Sequence, residues 1–523
     1  TGLAPEAVIA LHAATEYRVA CMGFCPGFAY LIGLPDALAV PRRASPRTRV
    51  PRGSVAIGGQ QTGVYALDTP GGWSIIGHTD IRMFDPDRED PFFLNPGDRV
   101  RFVPAPAPET DGAGTGSSNA RPRQAPPPAP GDGHGRRMTI LSPGALATVQ
   151  DLGRPGMMRL GVTPGGALDR RALILGNRLL GNDPGAAALE CAMAGPTIRF
   201  EAPALVCVTG ADFGPRLDGE ELPMWEPCLV PAGAVLAFAH PLRPGSGMRA
   251  CVCVDGGIAI DPVMGSRSTD LFGRIGGLGG KPLAAGDLLP LGDPAPDPDA
   301  VLRRRLVIPA PVPNDGAPFR AVPGPQEDRF TAEGLDTFFS APFTMTPRSD
   351  RMGLRLSGEP VRHSRGADTI SEGIAAGAVQ VPGDGQPIVL LPARQTVGGY
   401  PKIATVIGAD LDRLGQLAPG DSVRFDQVAL DAAREATLAA RAAIGPGAVR
   451  DLPRAVVLRP GLRAEVSGWD EAAAGRLADA ASNAGIGEVR VSAPGLSARI
   501  DRSPTAASML EQARTAALHG GSG

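Results

Sequence analysis

The string Gln395-Thr396-Val397-Gly398-Gly399-Tyr400-Pro401-Lys402 carries the densest chemistry in the chain. It combines flexible backbone, neutral donors and one ammonium, the mixture an oxyanion or carboxylate site needs. Earlier, Phe24, Pro26, Gly27, Phe28 and Tyr30 form a loop. There Gly27 can let the backbone approach a ligand closely, and Tyr30 can offer a hydroxyl; a rigid turn packed into a core is the other reading. Arg42, Arg43, Arg47 and Arg49 crowd one stretch between prolines. Their guanidinium forks suit a carboxylate or phosphate, and equally a solvated basic loop.

Titratable groups able to move protons near neutral pH are scarce. Of six histidines, His134 lies in a Pro/Gly-rich stretch, His519 near the C-terminus, and His240 and His363 in poorly patterned segments, which leaves His12 and His78. His12 ends a helical pattern over residues 6–11, and two readings stand: a general base, or a helix-terminal histidine satisfied by backbone carbonyls. Asp350 with Arg351 and Arg355 reads as ligand-binding or as loop-fixing ion pairs, and ion pairing is the favoured reading for Arg267 with Asp270. Gln150, Asp151 and Arg154 sit in a turn that allows both. Since catalysis needs a base and fixed donors within about 3 Å of one reacting atom, the expected site brings His12 and Tyr30 against Gln395, Tyr400 and Lys402.

Several chemistries are absent by motif. There is no nucleophile elbow, no phosphate loop and no Rossmann fingerprint. The seven cysteines are few and odd in number for 523 residues, which fits reduced thiols in a cytoplasmic protein, most of them small core residues. Cys21 and Cys25 lack a second Cys or His pair nearby to complete a metal site. Lys plus Arg at 51 against Asp plus Glu at 54 gives no electrostatic reason to expect nucleic acid or an anionic membrane as partner. No apolar run approaches the roughly 20 residues needed to span a bilayer. A small-molecule substrate is the expected partner, and self-association is left open.

The elements that must position these residues are short. Gly at 70 and Pro at 55, with 4% aromatics, favour many strands joined by tight turns. β-like runs recur at 54–57, 64–67, 74–76, 205–209, 235–238, 249–254, 388–391 and 403–407, a barrel or sandwich rhythm. The clearest helix runs from Asp169 to Leu180 with Gly181 as its stop. Residues 104–137 have almost nothing apolar to bury and read as a linker between units 1–103 and 138–428. Asn95-Pro-Gly-Asp and Ala418-Pro-Gly-Asp close the two units, with weaker echoes at Ala284-Ala-Gly-Asp and Pro231-Ala-Gly-Ala, which reads as related, duplicated subdomains. An Ala-rich helix near 430–444 leads into a small module to 505: a strand from Ala455 to Val466, a helix from Asp470 to Gly485 and a hairpin over 488–500. A tail covers 506–523.

The strings Gly23-Phe-Cys-Pro-Gly-Phe-Ala-Tyr-Leu31, Pro41-Arg-Arg-Ala-Ser-Pro-Arg-Thr-Arg-Val-Pro51 and Pro70-Gly-Gly-Trp-Ser-Ile-Ile-Gly77 resemble allophanate hydrolase subunit 1, equivalently the B-type component of 5-oxoprolinase, without that family's preceding small domain. Thr148-Val-Gln-Asp-Leu-Gly-Arg154, Gly265-Ser-Arg-Ser-Thr-Asp270, Ser349-Asp-Arg-Met-Gly-Leu-Arg355, Ser371-Glu-Gly373 and the 395–402 string resemble allophanate hydrolase subunit 2, or the C-type component of 5-oxoprolinase. The pair is similar to the carboxyltransferase region of urea carboxylase. This resemblance implies a mainly β fold with α/β subdomains, built of repeated cyclophilin-like β-barrels. It implies activation of a lactam or amide, with ATP as a cofactor, for hydrolysis by a separate 5-oxoprolinase A-type subunit. It equally admits biotin-dependent carboxyl transfer onto urea or a related amide, or a kinase-inhibitor-like regulator. His78 stands where the family is expected to carry arginine, which argues against an acid or base role there. Residues 458–500 resemble the segment before the biotinyl domain of carrier proteins. No Met-Lys dipeptide occurs, so biotin would ride on a partner.

Overall fold

A computed structural model describes residues 1–43, 47–105, 135–241, 245–312, 315–367 and 369–451, together with the strand backbones 464–467, 488–493 and 496–501. The linker over 104–137 lies for the most part outside the described residues, and the helix from Asp470 to Gly485 and the tail 506–523 lie wholly outside them.

Short strands build three sheet bodies. The first is a six-stranded sheet in the order 74–78, 54–58, 61–64, 29–32, 16–22, 99–101. The second pairs a five-stranded sheet (146–150, 188–192, 249–254, 204–210, 228–230) with a six-stranded one running from Glu220–Glu221 to Leu288–Pro290. Between them lies a core of Met138, Ile140, Val206, Val208, Phe213, Val252 and Val254 among others. The third is an eight-stranded mixed sheet whose two edge strands, Ser422–Val423 and Phe425–Gln427, are neighbours in sequence. One segment reaching both edges wraps the sheet into a nearly closed barrel, which removes most of its unpaired edge.

Alternation explains where the cysteines go. In Arg249–Val254 every residue is buried. Ala250, Val252 and Val254 face the barrel core, while Cys251 and Cys253 face the helix Arg170–Leu180. A side chain on Gly176 of that helix would sit 2.7 Å from Cys253 Sγ, so small residues on both surfaces let helix and sheet approach. Asp169 caps the helix by accepting from the Ala172 amide, and Gly181 ends it in the left-handed region. Six of the seven cysteines are buried and none is in a disulfide.

The recurring Pro-Gly-Asp phrases are one turn reused. Gly97, Gly286 and Gly420 all have φ between 90° and 98°, a conformation that favours glycine at the third position of such a turn. Asp98, Asp287 and Asp421 each accept from the amide three residues earlier, at 2.7–2.9 Å. The glycine amides donate to Val19, Ile140 and Met345 of neighbouring strands. The echo at Gly233 makes the same bond to Phe200, without the aspartate. Near the C-terminus, Glu488–Ala493 and Leu496–Asp501 form the expected hairpin, and Ala464–Ser467 joins it in parallel. Among the described residues no helix is long and apolar enough to cross a membrane.

Candidate functional site at the junction of three bodies

His12 does not reach this junction. It lies in the last turn of the helix Pro5–Ala14, is buried, and packs its ring on Tyr17 and Phe102 at 5.0 and 4.6 Å. Thr62 spends its hydroxyl proton on Ala56 O, so its oxygen accepts from His12 Nε2 at 2.9 Å; that assigns the Nε2–H tautomer. Burial lowers the imidazole pKa from 6.5 to about 4. The expectation that His12 faces Gln395 to Lys402 fails because this imidazole fills a core.

That burial makes a pH prediction. The folded state keeps His12 neutral while the unfolded chain protonates it, so the contribution is complete above 6.5 and is lost as pH falls toward about 4. Urea titrations at pH 7 and pH 5 are expected to differ by about 2 kcal/mol from this group, and His12→Gln should remove that part of the slope. An unchanged slope in the variant would assign the acid sensitivity elsewhere.

The loop from Gly23 to Gly27 is wedged between the other two bodies. Phe24 holds φ 64°, a left-handed conformation costing about 1–3 kcal/mol that its surroundings must enforce. A side chain on Gly23 would overlap Val397 of the third body, and one on Gly161 of the second body would lie 2.6 Å from Cys25 O. Leu160, Val162, Val263 and Ile275 complete the apolar core of the first body. Thr163 Oγ1 donates to Pro392 O at 2.9 Å, tying second body to third. Gly27 is used differently from expectation: Phe84 Cβ and Met83 O of its own body occupy the space beside it, so it serves backbone packing.

Polar groups cluster over this interlock. Val397–Gly398 pairs with Glu372–Gly373. Lys402, 5% exposed, donates Nζ to Glu372 Oε1, while its amide donates to Gln326 Oε1 at 3.1 Å. The Lys402 ammonium and then the Gln326 amide hold the Glu372 carboxyl below its usual range, so it is ionised at neutral pH. Lys281 and Lys402 are the only lysines among 51 basic residues; in a chain that otherwise uses arginine, a buried lysine marks a place where a compact ammonium is required. Tyr400 is 37% exposed. Gln395 is half-buried, and Thr396 keeps a buried hydroxyl without a partner. From the first body, Arg42 Nη2 donates to Ser371 Oγ at 2.7 Å, and Nη1 lies over Gly399. Tyr30 packs on Phe28 and Trp73; burial pushes its hydroxyl pKa well up and Arg42 partly offsets this, so it stays protonated as a donor.

On the other side of the Gly23–Gly27 loop lies a second pair. Asp270 and Arg154 are 2% and 1% exposed, yet Asp270 Oδ2 and Arg154 Nη1 have no hydrogen-bond partner. Burial raises the Asp270 pKa, which Arg154 partly offsets, and lowers that of Arg154. The reading of Asp270 as an ion pair with Arg267 is corrected: Arg267 donates instead to Ile260 O and Asp151. Asp151 is fully engaged, accepting from Ser266, Ser268, Gly153 and Arg267. A buried carboxyl with a free oxygen is a proton-transfer candidate; in the sequence only its Gly-Ser-Arg-Ser-Thr-Asp string pointed to it.

The remaining expected residues each have a partner within the protein. Arg47 donates to Trp73 O at 3.0 Å and Arg49 pairs with Asp68 at 2.6 Å. Asp350 caps its own turn through the Met352 and Gly353 amides. Arg351 is buried against Glu190 and Gly166 O. Glu372 and Gln326 were absent from the expected constellation, and Arg42 entered only as one of the four arginines between Pro41 and Pro51. Ser371-Glu-Gly373 was the signal for Glu372, while Gln326 had none.

Residues 160–427 match the family model for carboxyltransferase domain, subdomain A and B, and residues 1–94 match subdomain C and D. The chain is 40% identical over 302 residues to the C-type component of 5-oxoprolinase from Escherichia coli K12, covering 57% of this chain and 94% of that protein. It is 59% identical over 103 residues to the B-type component of 5-oxoprolinase from Escherichia coli O157:H7, covering 20% of this chain and 47% of that protein. It therefore spans about half of the latter's length. The solved structure of TTHA0988 superposes with TM-score 0.70 at 38% identity, covering 81% of each chain.

Proposed function

Because this chain belongs to the carboxyltransferase-domain family, with its C and D subdomains ahead of A and B, we propose that it is a fused B-like and C-like component of a 5-oxoprolinase that activates a lactam carbonyl for ring opening. The observation that carries this reading is the junction itself. Sequences like two separately named 5-oxoprolinase subunits interlock through Gly23, Val397 and Gly161. Lys402, Tyr400 and Tyr30 supply donors for a polarised carbonyl oxygen, and ionised Glu372 or the free oxygen of Asp270 supplies a proton acceptor. ATP enters by family resemblance. The described residues offer no phosphate loop, and Glu372 already neutralises Lys402, so no nucleotide step is assigned to this chain. Carboxyl transfer onto a urea-like amide is the second reading, favoured by the family's own description.

The purified chain, with and without an A-type partner subunit, is expected to give ATP-dependent loss of 5-oxoproline only when both are present. Biotin-dependent carboxylation of urea in parallel, with no lactam loss, would replace the first reading by the second.

A further inference from the structure

Of the four arginines between Pro41 and Pro51, Arg47 is spent on a carbonyl and Arg49 on Asp68. Arg42 crosses to the third body, where its guanidinium is fixed by Ser371 and lies over Gly399. A side chain at 399 would come within 2.9 Å of Nη1, so this glycine makes room for the cation. Among the described residues Ser371 is the one hydrogen-bond partner of the Arg42 side chain, which leaves the N–H groups of Nε and Nη1 and the second N–H of Nη2 to spare.

We infer that Arg42 is a carboxylate clamp, supplied by the first body, that makes the junction select a lactam bearing a carboxylate over a neutral amide. This deepens the lactam-activation reading and rests on it. The charge count favours a monoanion: Lys402 and Glu372 cancel, Arg42 contributes one positive charge, and Glu372 adjoins Ser371. A di- or triphosphate would meet too little positive charge here and a carboxylate beside it. A carboxylate needs one fork of N–H donors; Ser371 takes a single N–H of Nη2, so one of the two forks of Arg42, Nε with Nη2 or Nη1 with Nη2, stays available.

The test is calorimetric titration of the full chain with L-5-oxoproline and with 2-pyrrolidinone, the same lactam without the carboxylate. Wild type is expected to prefer the acid, and Arg42→Ala to weaken its binding by about 10- to 100-fold while leaving 2-pyrrolidinone unchanged. Arg42→Lys should recover part of the loss. Ser371→Ala, which removes the contact between bodies but keeps the cation, should stay within about threefold of wild type. Three results would overturn the clamp: equal affinity of wild type for the two lactams, including no binding of either; unaltered 5-oxoproline binding in Arg42→Ala; or a loss in Ser371→Ala as large as in Arg42→Ala. Failure of the lactam reading is visible separately, as absent turnover with the A-type partner while Arg42-dependent binding persists.

Discussion

Replacing Lys402 by arginine is expected to lower lactam turnover by about 10²- to 10⁴-fold, the range for loss of one proton-transfer or charge-stabilising group, although the positive charge is kept. The site holds a compact ammonium, 5% exposed and bonded to Glu372, and a wider, planar guanidinium cannot take its place without displacing the strand beside it. Lys402→Ala should cost as much. It should also shift the acid limb of the pH–rate profile: Lys402 is the largest cause holding Glu372 below 4.5, so its removal lets the carboxyl titrate at higher pH and activity is lost earlier on acidification. Steady-state kinetics on folded variants decides the matter. Turnover of Lys402→Arg within about twofold of wild type would confine this lysine to packing.

The second large effect is on stability. Glu190 takes a hydrogen bond from the Leu168 amide at 2.6 Å, binds Arg351 and faces Arg249 Nε at 3.7 Å, all nearly excluded from water. Arg351 in turn holds Gly166 O at 2.7 Å, at the end of the loop whose Gly161 abuts Cys25. Glu190→Ala leaves two buried guanidinium groups without their anion, and the expected loss is about 3–5 kcal/mol. Because a multi-body chain need not unfold in one step, the first urea transition is the quantity to follow. Combining Glu190→Leu with Arg351→Met should recover much of the loss, since the unpaired charge rather than the missing bond dominates. A change below about 1 kcal/mol for Glu190→Ala would show that water or a rearranged partner compensates.

Strand rhythm (apart from the run at 64–67, where the strand is Gln61–Val64), the Asp169-capped helix, the C-terminal hairpin and the reused Pro-Gly-Asp turn were legible in the sequence. Each is set by local chemistry: glycine at positive φ, a side chain reaching an amide three residues away, or an alternating apolar pattern. The 395–402 string stood out as a candidate for the same reason, since its donors lie within one short segment. Short elements such as Pro298–Leu302 and Ala332–Ser340 were not, because a few residues give too little periodicity.

The chemistry of distant groups could not be read that way. His12 looked like a base because histidine titrates near neutrality, but Tyr17, Phe102 and Thr62 enclose it, and desolvation depends on neighbours far along the chain. Arg42 and Arg49 are chemically equivalent in sequence; only the docking of the third body against the first gives one to Ser371 and leaves the other to Asp68. Asp151 and Asp270 likewise differ only in how many donors the folded loops aim at them. Sequence by itself determined the family, the turns and the set of residues able to react. Tertiary structure decided which of them are buried, paired or left open, because burial and Coulomb interactions act through space rather than along the chain.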